Sequence, residues 1–399
     1  MEGAFALDAI AIAFVLPKFR FAHTSEGFLI SFRRFFFDRR SRFRNRSTGV
    51  EVVSIDLTKP VDEQPLFDVI IHKLTDLMTA ADRGDSDATK DVTSIESYIV
   101  RHPKVVVLDP LPNVRKLLDR SICYEEIKKI HFVVRDVTVC SPHFTTVRSS
   151  PSGPTLMNKT KLSFPVVCKH LVAHGSRVAH QMAIVFSDEG FKEVDFPFVA
   201  QQFICHSGQL YKIFVVGKRH FVVKRPSLKN LSLNRFDKST IFFDSHDVSK
   251  ADASSELNGT VDLEEDHRKL DDIVVAKIAE TFREKLGLSL FGVDVVVEDH
   301  SNRHCIIDVN FFPGYEGFAD FEGALEELLL NQTTSLPASG AKPANGLLSN
   351  GYQNGKILNG CRKLFAGFHS MNGASAAATA AADLDDSFTG QRAAAVTYI

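Results

Sequence analysis

Short apolar segments of strand character recur over the first 110 residues. Val50–Leu57 alternates apolar and polar positions, whereas Phe67–His72 and Lys104–Leu108 are continuous apolar runs of the kind found in parallel strands. Asp91–Arg101 lies between them and has a helical pattern. We therefore predict a small α/β sheet over residues 1–110. It ends at the Asp-Pro-Leu-Pro stretch 109–112, because a residue before proline disfavours helical geometry.

Over residues 111–329 the pattern changes to antiparallel strands with helices beside them. Asp271–Leu286 is predicted to be a helix, because its apolar residues recur at spacings of three and four and Gly287 suits its C-terminal cap. Leu288–Glu298 and His304–Asn310 are predicted to form one hairpin. The other predicted strands are Phe164–Lys169, Phe198–Ile204, Leu210–Val216 and His220–Lys224.

Both ends of the chain depart from these patterns. Ala4–Leu16 is apolar but too short to span a bilayer and contains Asp8, so we predict a buried strand. Phe19–Arg46 mixes phenylalanine and arginine without periodicity. We interpret it as a connector or a misassigned stretch of coding sequence; the alternatives are a membrane-surface helix or a polyanion-binding patch. Residues 330–399 are rich in Ala, Gly, Ser, Asn and Thr, and we expect them to be disordered.

Composition narrows the class of protein. A chain of 399 residues with 44% hydrophobic and 24% charged residues is typical of a globular protein with two or three compact units. The formal net charge of −2 argues against a polycation that coats nucleic acid. The six cysteines form no C-x-x-C pair, which argues against a zinc site or a disulfide framework. We expect a cytoplasmic protein without a membrane span, and a monomer by default.

The acidic hairpin carries the strongest chemical signal. If its turn is centred on Ser301, Asp294 faces Asp308, and Asn310 lies on the same face because side chains alternate along a strand. Opposed carboxylates repel unless a cation lies between them, and three oxygen ligands suit Mg²⁺. The alternative is a solvated acidic face. The residues predicted to point from the other face toward a core are Val293, Val295, Ile307 and Val309.

Basic residues elsewhere indicate an anion site. A tight hairpin around Gly217–His220 places Lys212 and Arg225 on one face, either directly opposed or one diagonal apart. An exposed cationic face explains this pair equally well. Lys169 ends an apolar strand, and Lys73 follows a strand of the first domain at the edge where open α/β sheets bind ligands. No P-loop and no G-x-G-x-x-G motif occurs.

Together these segments resemble the ATP-grasp fold, and more closely the inositol-tetrakisphosphate 1-kinase family, also called inositol 1,3,4-trisphosphate 5/6-kinases. The resemblance covers about residues 50 to 325, in order along the chain. It implies an N-terminal Rossmann-like α/β domain followed by two ATP-grasp subdomains. The matching stretches are residues 68–76 (DVIIHKLTD), 108–112 (LDPLP), 117–121 (LLDRS), 173–175 (AHG), 210–217 (LYKIFVVG), 225–230 (RPSLKN), 241–246 (IFFDSH) and 307–317 (IDVNFFPGYEG).

The resemblance also implies roles for individual residues. The residues implied to contact ATP are Arg120, Lys169, Gln201, Lys212, Ser227, Ser245 and Ser249. Those implied to bind the inositol phosphate are Lys73, His174, Gly175, His180, Lys212, Arg225, Asn310 and Gly314. Those implied to hold two Mg²⁺ ions are Asp294, Asp308 and Asn310, while Lys169, His180 and Lys212 would stabilise charge during transfer. The chain departs from the family near its N-terminus, where Lys18 or Arg20 stands near the place of a substrate-binding lysine.

The implied reaction is Mg-dependent transfer of the ATP γ-phosphoryl group to an inositol polyphosphate. The implied acceptors are inositol 3,4,5,6-tetrakisphosphate at its 1-position and inositol 1,3,4-trisphosphate at its 5- and 6-positions. Two alternatives stand beside it. An ATP-grasp carboxylate-amine ligase would use the same nucleotide and metal residues, and an inactive protein would bind inositol phosphate without turnover.

Overall fold

The computed structural model describes residues 10–15, 42–45, 50–149, 157, 160–174, 177–231, 238–259 and 270–333. The first strands are β1 Ile10–Val15, β2 Arg42–Asn45, β3 Val50–Ser54, β4 Val69–His72, β5 Val106–Leu108, β6 Phe132–Val134, β7 Val137–Cys140 and β8 Phe144–Val147. The later strands are β9 Val166–His170, β10 Gln181–Val185, β11 Phe198–Gln202, β12 Gln209–Val216, β13 Arg219–Pro226, β14 Thr240–Asp244, β15 Leu290–Val297 and β16 Arg303–Phe311.

Helices alternate with the strands and also pack beside them. The α-helices are α1 Thr75–Asp82, α2 Ser86–Arg101, α3 Leu111–Arg115, α4 Arg120–Lys128, α5 Ser245–Ser249, α6 Asp272–Leu286 and α7 Phe321–Thr333. Short 3₁₀ segments cover Val61–Glu63, Arg177–His180 and Glu189–Glu193. Within the described residues, no helix is both long and apolar enough to cross a membrane.

The first sheet is the predicted α/β sheet. Its order is β2-β3-β1-β4-β5, and all its neighbours pair in parallel except β2 with β3. The strand β1 confirms the strand predicted within Ala4–Leu16; the residues before Ile10 lie outside the described part. Strand β2 corrects part of the connector interpretation of Phe19–Arg46, because Arg42–Asn45 adds an edge strand to this sheet.

Two further sheets contain the antiparallel strands. The second has the order β14-β10-β9-β11-β8 and is antiparallel throughout. The third has the order β13-β12-β15-β16-β7-β6, with a single parallel pair between β16 and β7. The first and third sheets share one large hydrophobic core, whereas smaller clusters flank the second sheet.

Helix α6 shows how local signals set element boundaries. The carboxylate of Asp271 accepts hydrogen bonds from the backbone N–H groups of Ile273 and Val274, so the helix begins there. Gly287 ends it in the left-handed conformation, with φ of 63°. A Cβ at Gly287 would lie 2.6 Å from Nδ2 of Asn113, so a larger residue here would also displace the Asn113 side chain. Both ends agree with the prediction.

Helix α7 corrects the predicted start of the tail. It continues to Thr333, so residues 330–333 are helical rather than disordered. Its apolar residues explain this, because Phe321, Leu325 and Leu328 belong to the main core. Residues 334–399, which make up the rest of the predicted tail, lie outside the described part.

Asp109 ties the first sheet to the third. It follows β5, and its carboxylate accepts hydrogen bonds from the backbone N–H groups of Ser289 (2.7 Å) and Leu290 (2.8 Å), where β15 begins. Burial raises the pKa of Asp109 to about 6, and these two bonds oppose the rise. The junction predicted at residues 109–112 is therefore a buried polar contact between two sheets.

Candidate active site

Three charged side chains form a row across the third sheet. Lys212 on β12 pairs in register with Asp294 on β15, which pairs in register with Asp308 on β16. The predicted opposition of the two carboxylates is therefore confirmed. The ammonium of Lys212 lies 3.0 and 2.8 Å from the two carboxylate oxygens of Asp294. The positive charge of Lys212 thus offsets part of the repulsion between the carboxylates, which the sequence analysis expected a metal ion alone to offset.

A β-bulge interrupts the acidic hairpin beside this row. Asp294 faces Asp308, but the next residue, Val295, faces Ile306, so Ile307 is the extra residue on β16. Ile306, which is fully buried, therefore takes the place in the main core that was predicted for Ile307, and Ile307 instead packs, partly buried, against a smaller hydrophobic cluster. The bulge has a chemical consequence: the carbonyl of Ile307 accepts hydrogen bonds from Tyr124 and Lys169.

Lys169 is held from two sides. Its ammonium lies 2.7 Å from the hydroxyl of Tyr124 and 3.1 Å from the carbonyl oxygen of Ile307. An ammonium has three hydrogens, so these contacts leave one for a ligand. Burial lowers the pKa of Lys169 to about 8, although nearby Asp308 opposes the shift. Sequence reasoning missed Tyr124, because nothing local distinguishes it from an ordinary core tyrosine of α4.

The guanidinium of Arg120 is buried and binds backbone rather than side chains. It donates to the carbonyl groups of His170 (2.8 Å), Val172 (3.1 Å) and Ala179 (3.0 Å). These carbonyls lie on both sides of residues 173–178, so Arg120 fixes where that segment leaves β9 and where it returns to β10. The implied ATP contact of Arg120 stays a prediction.

The histidines after β9 lie near the same charges. His174 is partly buried, and this burial lowers its pKa to about 4, with Arg120 contributing in the same direction. Its Nε2 has no hydrogen-bond partner among the described residues. Burial also lowers the pKa of His180 to about 4, with His246 next in effect. Gly175, predicted to lie beside the substrate, is outside the described part, as are Lys18 and Arg20.

One of the residues implied to contact ATP lies on β11. Gln201 is buried on that strand. His206 lies in the connection to β12, with Nδ1 2.6 Å from the carbonyl oxygen of Ile204 and Nε2 2.8 Å from the hydroxyl of Ser227. Because a carbonyl only accepts, Nδ1 carries the hydrogen and Nε2 accepts from Ser227. Sequence reasoning did not identify His206.

The remaining implied residues surround this row. Lys212 pairs with Val223 and Leu210 pairs with Arg225, so Lys212 and Arg225 are one diagonal apart on the same face, as one of the two predicted turns required. The guanidinium of Arg225 donates to the carbonyl of Glu316, at 2.8 Å, in the turn that contains Gly314. The other implied residues are Lys73, whose ammonium lies 5.9 Å from the centre of the Phe312 ring, and Ser245 and Ser249 in α5.

The residues of the hairpin fit a magnesium ion. Asp294 and Asp308 face each other, and Asn310 lies two residues beyond Asp308 on the same strand. Burial raises the pKa of Asp294, while Lys212 lowers it. Among the described residues no group of three or more His, Cys, Asp or Glu side chains is arranged to hold a metal. Two carboxylates, an amide and non-protein oxygens are the donor set that Mg²⁺ accepts and that softer metals do not prefer.

Comparison with known proteins identifies the family. The profile described as the inositol 1,3,4-trisphosphate 5/6-kinase ATP-grasp domain matches residues 133–331. The profile of the pre-ATP-grasp domain of the same kinases matches residues 33–114. The chain belongs to this family. Its fold is therefore the ATP-grasp fold, as the sequence resemblance implied. The match to the pre-ATP-grasp domain begins within Phe19–Arg46, the segment that mixes phenylalanine and arginine.

Curated relatives agree with these profiles. The chain is 44% identical over 293 residues to inositol-tetrakisphosphate 1-kinase of Xenopus laevis, covering 73% of each chain. It is 39% identical to the enzyme of the same name from Danio rerio, covering 75% of this chain and 77% of that one. D-alanine–D-alanine ligase from Bacillus anthracis superposes with a TM-score of 0.47 and 14% identity, covering 82% and 97% of the two chains; a similarity of this size does not bear on the reaction.

Proposed function

We propose that this kinase transfers the γ-phosphoryl group of ATP to ring hydroxyls of inositol polyphosphates. The proposed acceptors are the 1-position of inositol 3,4,5,6-tetrakisphosphate and the 5- and 6-positions of inositol 1,3,4-trisphosphate. The observation that carries the proposal is the row of Lys212, Asp294 and Asp308, with the ammonium of Lys169 beside it. Family membership supports the substrate class.

The chemistry asked of these residues is positioning and charge neutralisation. Phosphoryl transfer passes through a loose transition state with negative charge spread over the phosphoryl oxygens, so it needs little covalent help from the protein. Lys169 would direct its remaining N–H at a phosphate oxygen, because Tyr124 and Ile307 hold the other two. Lys212, which is aligned by Asp294, would lie between nucleotide and acceptor.

Asp294, Asp308 and Asn310 would hold Mg²⁺, which when bound neutralises phosphate charge and orients the nucleotide. Before it binds, Lys212 supplies the counter-charge of Asp294. His174, His180 and Arg225 would surround the acceptor phosphates. Gln201 and the segment up to Lys212 would hold the adenine, with Ser227, Ser245 and Ser249 beside the nucleotide.

Turnover of the purified protein tests this function. ATP and Mg²⁺ are supplied with each of the two inositol phosphates, and phosphorylated product is measured for the wild type and for Asp308→Ala. Asp252→Ala, which changes an exposed residue, is the control. We expect product from the wild type and the control and none from Asp308→Ala. ATP binding without product in the wild type would overturn the kinase proposal. Release of ADP that requires a carboxylate and an amine would favour the ligase alternative.

We also propose that the protein acts as a monomer in a reducing compartment such as the cytoplasm. The described cysteines are all free thiols, and four of the five are buried, which is consistent with that compartment. Light scattering coupled to gel filtration tests the monomer. A mass twice that of the chain would contradict it.

A further inference from the structure

Two histidine rings stack beside the charged row. The ring centres of His180 and His246 are 3.8 Å apart, and the ring planes differ by 32°. The sheet brings them together: Gln181 at the start of β10 pairs with Asp244 at the end of β14, His180 immediately precedes Gln181, and His246 lies two residues beyond Asp244, in the first turn of α5. The stack is therefore a direct result of strand register and does not depend on a long loop.

The stack has a carboxylate on one side. A carboxylate oxygen of Asp244 lies 3.7 Å from Nδ1 of His246 and also accepts the backbone N–H of His246 at 2.9 Å. Nδ1 of His180 lies 3.4 Å from the hydroxyl of Ser245. The side chain of His246 is 28% exposed, so a ligand can reach it.

The charged groups around the stack include both cations and carboxylates. Those that act on His180 are His246, Asp244, Arg120, Asp308 and His174, and those that act on His246 are Asp244, Lys250, Asp247 and Lys212. Burial lowers the pKa of both rings and so favours their neutral forms in the free protein. A phosphate group bound between the rings and Lys212 would reverse the preference for the neutral ring, because a nearby anion favours the protonated imidazole.

We propose that His246 is a further substrate-contacting residue, an inference that rests on the proposed function. The stacked pair of His246 and His180 binds one phosphate group of the inositol polyphosphate and takes up one proton. The proton comes from the solvent. Only one is taken up, because two imidazolium rings at this separation repel strongly. It resides on His246, where the carboxylate of Asp244 stabilises the charge, and the protonated ring then donates a charge-assisted hydrogen bond to the phosphate.

Proton-linked calorimetry tests this assignment. Inositol 3,4,5,6-tetrakisphosphate is titrated into the full-length protein at pH 7 in buffers of different ionisation enthalpy, and the slope of the observed enthalpy gives the protons taken up. We expect close to one proton for the wild type. His246→Phe keeps an aromatic ring in the stack but cannot be protonated, so we expect no uptake and an affinity lower by about tenfold or more.

Two further variants separate charge from structure. Asp244→Asn retains an oxygen that can accept the backbone N–H of His246 but loses the carboxylate charge, so we expect reduced uptake with the fold intact. His131→Phe changes an exposed histidine and should leave both uptake and affinity unchanged. Binding of ADP to His246→Phe shows whether the nucleotide site is retained.

The outcomes distinguish this proposal from the proposed function. Wild-type affinity and uptake in His246→Phe would overturn the role of His246, as would substrate binding to the wild type without proton uptake. If the wild type bound ADP but no inositol polyphosphate, the proposed function would fail and this inference with it. Substrate binding without proton uptake is a different result. It would leave the proposed kinase function standing and would contradict only the role proposed for the pair of His246 and His180.

Discussion

The ammonium of Lys212 lies 2.8 Å from the carboxylate of Asp294 on the neighbouring strand, and both side chains are mostly buried. Removing one partner of such a pair leaves the other charge without compensation. This destabilises the protein more than replacing both partners by apolar residues would. This relationship links stability to metal binding, because the same carboxylate is a proposed ligand of Mg²⁺.

We expect Lys212→Met to lower the free energy of unfolding by roughly 2–3 kcal/mol in the absence of Mg²⁺. Adding Mg²⁺ should restore more stability to this variant than to the wild type, since the ion would replace the missing positive charge beside Asp294. Urea denaturation with and without Mg²⁺ measures both quantities. Lys218→Met, at an exposed turn position, is the matched control. Equal stability of Lys212→Met and the wild type without Mg²⁺ would contradict this account.

Tyr124 is expected to position Lys169. Tyr124→Phe keeps the ring and removes the hydroxyl that joins Lys169 to the carbonyl of Ile307, so the ammonium loses one of its two anchors. We expect kcat to fall by about tenfold while the KM for ATP changes less, because the misdirected N–H matters most as charge develops on the phosphoryl group.

The matched control for that variant is Tyr98→Phe. Its hydroxyl accepts a backbone hydrogen bond from Phe67 in the first domain, so its loss should reduce stability slightly and leave kinetics unchanged. Steady-state kinetics and thermal unfolding are measured on both variants. A fall in stability of Tyr124→Phe with kcat unchanged would assign Tyr124 a structural role only.

Local sequence signals were sufficient where one element determined the geometry. The cap residues Asp271 and Gly287 set the ends of α6, and alternation about one turn placed Asp294 opposite Asp308. The predicted register failed at the next position, Ile307, because a bulge depends on what the carbonyl group freed from the sheet can bind. That partner, Tyr124, is 183 residues away along the chain.

Contacts between distant strands were beyond the sequence alone. Lys212 and Asp294 were both identified, but their ion pair requires that β12 and β15 be neighbours in the sheet. His246 stood in a recognised motif without a role, and its ring stack depends on the register of β10 with β14. Such contacts follow from tertiary arrangement, which the local pattern of apolar and polar residues does not specify.

His206 is expected to orient the hydroxyl of Ser227. Nε2 of His206 accepts the hydroxyl hydrogen, so the oxygen of Ser227 can offer only its lone pairs to a nucleotide. We expect His206→Phe to raise the KM for ATP by about threefold to tenfold with little change in kcat, since one neutral hydrogen bond is no longer aligned. Ser227→Ala should have the same effect, and the double variant should be no worse than either. Additive losses in that cycle would show that the two residues act independently.

His72 is expected to make the protein sensitive to acid. Its Nε2 donates to the carbonyl of Asp109 at 2.6 Å, and burial lowers the pKa of His72 from 6.5 to about 4. The unfolded chain therefore binds a proton at higher pH than the folded protein does. His72 contributes stability above pH 6.5, and this contribution falls by roughly 3 kcal/mol as the pH drops from 6.5 to 4.

The carboxyl of Asp109 opposes this trend. Because burial raises its pKa from 3.8 to about 6, the folded protein binds that proton first, and stability from this group increases as the pH falls over the same range. The two effects nearly cancel in the wild type. His72→Gln, which retains an N–H at the position of Nε2, should remove the first and leave the second, so its stability relative to the wild type should rise as the pH falls from 6.5 to 4. Urea unfolding at several pH values measures the difference, with His131→Gln as control; a difference independent of pH would show that His72 does not titrate in this way.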